Sequence, residues 1–422
     1  MSLKNNLISK KGFSLYRIFY TIAIIILFAG NVFAQKFEFS GKRKRETLAF
    51  RMIKNQMVIP LHINGKGPFN FILDTGVGLV LISDPKLIDS VSFQNLRSIY
   101  ITGFGEGEKL SAFIAPSVDL RIGNTIAKNI PAAILKKDIF ELSNYVGIPI
   151  HGLIGYEFFQ SFVVRLNFLT STITVFQPER AYIPRKGSRI PISIEERKPY
   201  IITNIQLKSG KKLPVKLIID TGAGHPVSLE TMDGVPFELP DERIRGNLGV
   251  GLTGPIDGYI GRITSLQLGK YTLNNVITAF PDYEDAASRV FSINRNGNMG
   301  LEIIKRFNIV FDYSRATMYI KPLAALKDAF EHDMAGLEIG SAGENYKRII
   351  ITRVEPSSSA DLTGLMKGDE ILAINFKPVS EMSLSEIDTM FRSRNGRNFV
   401  IDVLLKDGIS KRRVILTLNK RI

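Results

Sequence analysis

Asp74-Thr75-Gly76 and Asp220-Thr221-Gly222 stand 146 residues apart, each at the end of an apolar run, Phe71-Ile72-Leu73 and Leu217-Ile218-Ile219. Two carboxylates a few Å apart cannot both ionise easily, so such a pair shares one proton and sets an acid beside a base. That equips a site to activate water and polarise a carbonyl in one step, with no metal or organic cofactor implied. One copy supplies only half of it. Each residue type suits this chemistry. Asp is held at a strand end, Thr can hydrogen-bond across an interface, and Gly turns the chain tightly and leaves room beside the carboxylate.

The offset extends beyond the tripeptides. It carries Gly103-Phe104-Gly105 onto Gly249-Val250-Gly251 and Leu120-Arg121-Ile122-Gly123 onto Leu266-Gln267-Leu268-Gly269. It then slips by one residue, taking Gly152-Leu153-Ile154-Gly155 onto Gly297-Asn298-Met299-Gly300 and Phe162 onto Phe307. Register of this kind marks an internal duplication.

The positioning elements are short β-type runs. Met57 to Ile63, an Asn64-Gly65 turn and Phe69 to Leu73 predict a hairpin that delivers Asp74 at a strand end. Tyr200 to Leu207, a Ser209-Gly210 turn and Val215 to Ile219 predict the same for Asp220. Phe162 to Leu166 with Ile173 to Phe176, and Ile309 to Phe311 with Met318 to Ile320, read as strand, turn, strand in each half. Helical stretches are few, so each half is expected to form a small closed β-structure. Pro184 to Pro191 is expected to join the two halves, and from Ala335 onward the pattern changes to a separate α/β module of about 90 residues.

Most of residues 50 to 325 resembles the retropepsin-like aspartic peptidases, in which each lobe supplies one Asp-Thr-Gly and the lobes meet about a two-fold axis. The resemblance implies catalysis by Asp74 and Asp220 within active-site loops that include Thr75, Gly76, Thr221 and Gly222. It implies flaps at Gly103, Phe104, Gly105 and at Gly249, Val250, Gly251, and an aliphatic-aliphatic-Gly element behind each loop. Leu153-Ile154-Gly155 matches that element; Asn298-Met299-Gly300 departs from it, so looser packing is expected beneath Asp220. Val77-Gly78 and Ala223-Gly224 lack the hydroxyl that pepsins place after the loop. His225 follows the second loop, either as a plain polar loop residue or as a modulator of Asp220.

The C-terminal module resembles a PDZ domain through Ser359 to Asn375, which carries Ala360, Gly364-Leu365, Gly368-Asp369 and Ile371-Leu372-Ala373-Ile374-Asn375. The resemblance places a peptide-receiving loop at Gly336, Leu337, Glu338 and Ile339, with a free strand edge beside it. The alternative is a PDZ fold used only for packing against the lobes.

The fold class read from these features is mainly β: two retropepsin-like closed lobes of the pepsin-type acid protease fold, then an α/β PDZ domain. The boundaries are 1–34 for a signal peptide, 35–185 and 186–325 for the lobes, and 335–422 for the PDZ domain. The resemblance implies an aspartic endopeptidase acting on a peptide or protein substrate, with a C-terminal peptide as PDZ ligand. The alternatives are a non-catalytic exported peptide-binding protein and a pairing of lobes between chains.

Composition narrows the field further. The 422 residues carry no Cys, which excludes disulfide and thiol chemistry and a Cys-linked lipid anchor. Four positive charges of the formal +15 (Lys4, Lys10, Lys11, Arg17) precede an apolar stretch at Ile22 to Ala29 and then Val32-Phe33-Ala34. This is the pattern of a secretory signal peptide and an exported, periplasmic or secreted bacterial protein. The alternative is an uncleaved anchor helix, the chain's one membrane contact. Zinc-ligand spacing, helix-turn-helix signature and RNA-binding aromatic motif are all missing, so no nucleic-acid partner is implied, and Lys42 to Arg45 reads as a solvated stretch. Gly249 to Gly254 fits G-x-G-x-x-G but has no βαβ setting, and the four histidines show no metal-ligand spacing.

Overall fold

The computed structural model describes residues 36–101, 110–181, 184, 186–251, 254–282 and 295–422. Residues 1–34, expected as a signal peptide, and Gly103, Phe104 and Gly105, expected as a flap, lie outside the described residues. Among the described residues no helix is long and apolar enough to cross a membrane.

In the first lobe, Asn64 and Gly65 both take positive φ (48° and 78°), the two-residue turn whose twist suits a hairpin. Strand β2 (Gln56–Ile63) therefore folds back on β3 (Lys66–Leu73), with Val58 opposite Ile72. The lobe continues through β4 (Val80–Ile82), the long hairpin β5 (Leu110–Ile122) and β6 (Thr125–Leu135), helix α1 (Leu142–Val146), β7 (Gly152–Ile154) and α2 (Tyr156–Ser161). The second lobe repeats this with β11 (Lys198–Gln206), β12 (Lys212–Asp220), β13 (Val227–Leu229), β14 (Arg243–Gly251), β15 (Gly254–Leu268), β16 (Tyr271–Pro281), β17 (Gly297–Gly300) and α3 (Leu301–Ile304). Sheet order is β6-β4-β7-β3-β2 in one and β16-β13-β17-β12-β11 in the other, the same topology twice.

Beneath the lobes runs a sheet that neither completes alone. Its order is β10 (Ser188–Pro191), β19 (Thr317–Pro322), β18 (Phe307–Asp312), β8 (Val163–Asn167), β9 (Thr172–Phe176) and β1 (Arg45–Ala49). The strand-turn-strand units foreseen for each half do form, and β8 then pairs with β18 across the duplication, Val164 opposite Phe311 and Leu166 opposite Ile309. The expected connector is partly strand, because Ser188 to Pro191 pairs with β19. One apolar core spans both lobes, taking in Leu73, Phe158, Leu166, Ile219, Ile309 and Phe311, and it reaches past Ala325 to Phe330.

The PDZ module has its own core. Its sheet runs β20 (Leu337–Ala342), β21 (Arg348–Val354), β22 (Glu370–Ile374), β23 (Asn398–Leu404) and β24 (Lys411–Thr417), with short helix α4 (Ser359–Leu362) and helix α5 (Leu384–Phe391). Ser383 and Glu386 close a reciprocal capping box on α5, which explains why the helix starts there. Strand β20 is the edge of its sheet.

Because the shared sheet and core unite the lobes, truncation of fully buried Leu166 to Ala should cost about 2–5 kcal/mol through transfer and cavity terms. Circular dichroism and hydrogen exchange in denaturant should show both lobes opening in one transition. Separate transitions for residues 56–135 and 198–281 would contradict a shared core.

Candidate active site

Each Asp-Thr-Gly sits where a hairpin strand ends against a strand from the far end of the same lobe. Strand β7 lies parallel to β3, with Gly152, Leu153 and Ile154 beside Phe71, Ile72 and Leu73, and the Asp74 N–H donates to the Ile154 carbonyl at 2.8 Å. Strand β17 lies parallel to β12 in the same way, ending with Gly300 beside Asp220. A side chain at Gly155 would overlap the Asp74 carbonyl, and one at Gly300 the His225 carbonyl. Leu153-Ile154-Gly155 and Asn298-Met299-Gly300 therefore both cross behind their loops.

The looser packing expected from Asn298 is not found. Register through Ile218–Asn298, Ile219–Met299 and Asp220–Gly300 is kept, Met299 is fully buried, and Asn298 Oδ1 lies 2.6 Å from His225 Nε2. His225 thus satisfies the amide that replaced an aliphatic residue.

The two threonines lock the loops together reciprocally. Thr75 N–H donates to Thr221 Oγ1 at 3.0 Å, and Thr221 N–H donates to Thr75 Oγ1 at 2.9 Å. Each hydroxyl then donates to the opposite lobe, Thr75 to the Ile219 carbonyl at 2.6 Å and Thr221 to the Leu73 carbonyl at 2.9 Å. Both side chains are buried, so each of these bonds forms without competition from water.

This lock sets each aspartate carboxyl against the glycine of the opposite loop. A side chain built on Gly76 would place Cβ 3.0 Å from the Asp220 carboxyl, and one on Gly222 would overlap the Asp74 carboxyl. Each glycine is the space that its partner's aspartate occupies. Without a following hydroxyl, backbone N–H groups hold the carboxyls: Gly76 to Asp74 at 2.7 Å, and Gly222 and Ala223 to Asp220 at 2.9 and 3.0 Å. Asp74 thus has one donor fewer. Its carboxyl is held well above the usual carboxylate range, first by burial and second by the Asp220 charge, with the Gly76 N–H opposing.

Several neighbours were not legible as site residues. At Lys198, burial and then Arg295 push the ammonium down, and both aspartates draw it back up. The Tyr313 hydroxyl is buried and feels the Asp74 charge. Turns from each lobe also clasp the other. Asn55 Nδ2 donates to the Gly224 carbonyl at 3.2 Å and to Glu302 at 2.8 Å, and Gln56 Nε2 to the Gly222 carbonyl at 2.9 Å. In return Arg197 donates to the Gly78 carbonyl at 3.2 Å and approaches Glu157 at 3.5 Å. Glu157 and Glu302 follow Gly155 and Gly300 at the same distance, which is the signal the duplication offered for them.

The remaining predicted residues fall at the flap and the PDZ loop. Gly249 and Gly251 close strand β14, with a bulge between Asn247 and Gly249; Val250 lies between them on the same strand. Gly336 takes φ +76°, and a side chain there would overlap Ser358. Its N–H already donates to the Asp333 carboxylate. Leu337 is buried, Glu338 accepts from Asn247 at 3.2 Å, and the Ile339 carbonyl accepts from Lys54 at 3.2 Å. As expected from sequence, no strand among the described residues pairs with β20 on its outer side, but the first lobe lies close to it. The α1 segment lies against it, with the Asn144 carbonyl 3.6 Å from the position a Gly340 Cβ would take.

Residues 59–158 match the family profile described as "Aspartyl protease", and residues 325–406 match that of the PDZ domain. The chain carries an aspartyl protease domain and a C-terminal PDZ domain. The protease match covers the first lobe with Asp74; the second lobe has the same strand order. No curated protein matches. Among solved structures, a photosystem II D1 C-terminal processing protease is 23% identical over 22% of this chain and 25% of its own, with a TM-score of 0.21. A PDZ domain protein from Parabacteroides distasonis ATCC 8503 is 24% identical over 21% of this chain and 20% of its own, with a TM-score of 0.18. The chain therefore spans a quarter or less of either structure's length.

Burial raises the Glu157 carboxyl from 4.5 to about 7, with Arg197 opposing weakly from a half-exposed position. The folded state thus favours the neutral form: Glu157's contribution is fully present below its unfolded value and is lost as pH rises through 7. Glu157→Gln should remove this loss. Melting temperatures measured from pH 4 to 8 should show the variant gaining on the wild type as pH rises, then running parallel above 7. A gap independent of pH would refute the assignment.

Proposed function

We propose that the chain is an aspartic endopeptidase in which Asp74 and Asp220 share one proton. The ionised member takes a proton from a bound water, and the neutral one donates a hydrogen bond to the scissile carbonyl, so that hydroxide attacks while the carbonyl oxygen is polarised. Burial and the neighbouring Asp220 charge raise the Asp74 carboxyl, as expected of a pair that shares one proton. The β14–β15 hairpin would close over the bound peptide as the flap. What carries the reading is the reciprocal threonine lock, which sets two acidic loops face to face with no room for other side chains.

We also propose export, read from the N-terminal segment, which N-terminal sequencing of the mature chain checks by finding Gln35 or a near neighbour first. The PDZ domain would receive substrate or partner peptides.

Asp74→Asn and Asp220→Asn should each lower cleavage of a diverse peptide pool by roughly a thousandfold or more, since cooperating groups fail as a unit. Melting temperatures of the variants should stay close to that of the wild type. A transition-state inhibitor of aspartic proteases should suppress the wild-type signal, whereas chelators and serine or cysteine reagents should not. Near-normal turnover by either variant would defeat the proposal.

The pair should also give a bell-shaped pH profile whose limbs belong to the dyad as a unit. A profile flat from acid through neutral pH would count against two carboxylates.

A further inference from the structure

In the PDZ module the channel between edge strand β20 and helix α5 is where an added peptide strand would lie. A segment of the first lobe already lies in it. Lys54, at the turn before β2, donates its backbone N–H to Ser385 Oγ on α5 at 2.9 Å and its ammonium to the Ile339 carbonyl on β20 at 3.2 Å. The ammonium pairs with Asp388 on α5 at 3.5 Å and stands 4.7 Å from the ring centre of Tyr145, which belongs to α1. Its side chain is only 6% exposed, a costly position for a lysine unless its partners are kept. Gly147, which caps α1 with φ +83°, fits between the two elements: a Cβ there would sit 3.0 Å from Ser341 Oγ and 3.2 Å from Leu384 Cδ1.

The same module grips the flap. Asn247 and Asp257 face each other across the β14–β15 hairpin, and each is held from the PDZ side, Asn247 by Glu338 at 3.2 Å and Asp257 by Arg353 at 3.3 Å. Arg353 is in turn fixed by Glu355 at 2.9 Å. Lys54 is also followed directly by Asn55 and Gln56, which hold the carbonyls of Gly224 and Gly222 beside Asp220. One three-residue stretch thus links the PDZ channel to the second acidic loop.

We infer that the PDZ channel is an intramolecular latch. It is occupied by Lys54 and the α1 segment, it restrains the flap, and it is opened by an incoming peptide strand whose Lys or Arg replaces Lys54 at Asp388. What the latch controls rests on the proposed proteolytic reading; the latch itself does not.

The test uses the full chain and a fluorescein-labelled heptapeptide carrying one lysine and ending in valine with a free carboxylate. Lys54→Ala removes the competing ligand and should tighten probe binding about tenfold, the size expected when charge-assisted bonds to a competitor are lost. Hydrogen exchange in 243–251 and 254–268 should accelerate in Lys54→Ala, and in the wild type on adding saturating probe. Cleavage of a short unlabelled peptide should rise in parallel. If Lys54→Ala gives no cooperative melt, Ser385→Ala, which loses only the bond to the Lys54 backbone, should show the same changes at smaller size. A probe in which glutamate replaces the lysine should bind at least tenfold more weakly to the variant. Equal probe affinity and unchanged exchange in wild type and variants would overturn the latch. Altered binding and exchange with no cleavage by any form would keep the latch and refute the peptidase reading.

Discussion

The reciprocal hydrogen bonds between Thr75 and Thr221 are the constraint on which the rest of the architecture turns. Two carboxyls held near each other repel once both ionise, and burial makes that repulsion stronger. Something must hold them there. Here the hydroxyl of each threonine accepts from the other's backbone and donates to a carbonyl just before the opposite aspartate. Every donor in the lock belongs to one lobe and its acceptor to the other, so neither acidic loop has its final geometry until both lobes are folded. The shared sheet through β8 and β18 and the common apolar core supply the stability that this crossing requires.

Much of this was legible because duplication turns weak motifs into strong ones. A lone Asp-Thr-Gly is a turn sequence; two in one frame, each ending an apolar strand, specify hairpin, crossing strand and facing carboxyls together. The PDZ fold was equally readable, since Gly364, Gly368 and the Ile371 to Asn375 run meet local turn and strand requirements. What the sequence withheld was long-range. Glu157 and Arg197 are 40 residues apart and Lys54 and Ser385 are 331 apart, and no period or propensity pairs them. Asn298 misled for a related reason: it breaks an apolar pattern locally, and its compensation, His225, lies 73 residues away.

The carboxyl environment shows how backbone can replace side chain. The hydroxyl that pepsins place after the loop is missing from Val77-Gly78 and Ala223-Gly224. Instead the tight turn at each glycine aims N–H groups at the inner carboxyl oxygens, one for Asp74 and two for Asp220. That inequality, with burial, distinguishes two residues that the sequence presents as equivalent.

Carrying both halves on one chain has an evolutionary consequence. In an enzyme assembled from two identical chains every substitution is made twice, so a change useful to one half is imposed on the other. Here the two copies of each position mutate independently. Asn55 reaches Glu302 through an amide while Arg197, at the matching turn, faces Glu157 as a cation, and the rung Asn247–Asp257 has its partners in the PDZ domain. One chain thus carries two inequivalent halves, each free to diverge position by position.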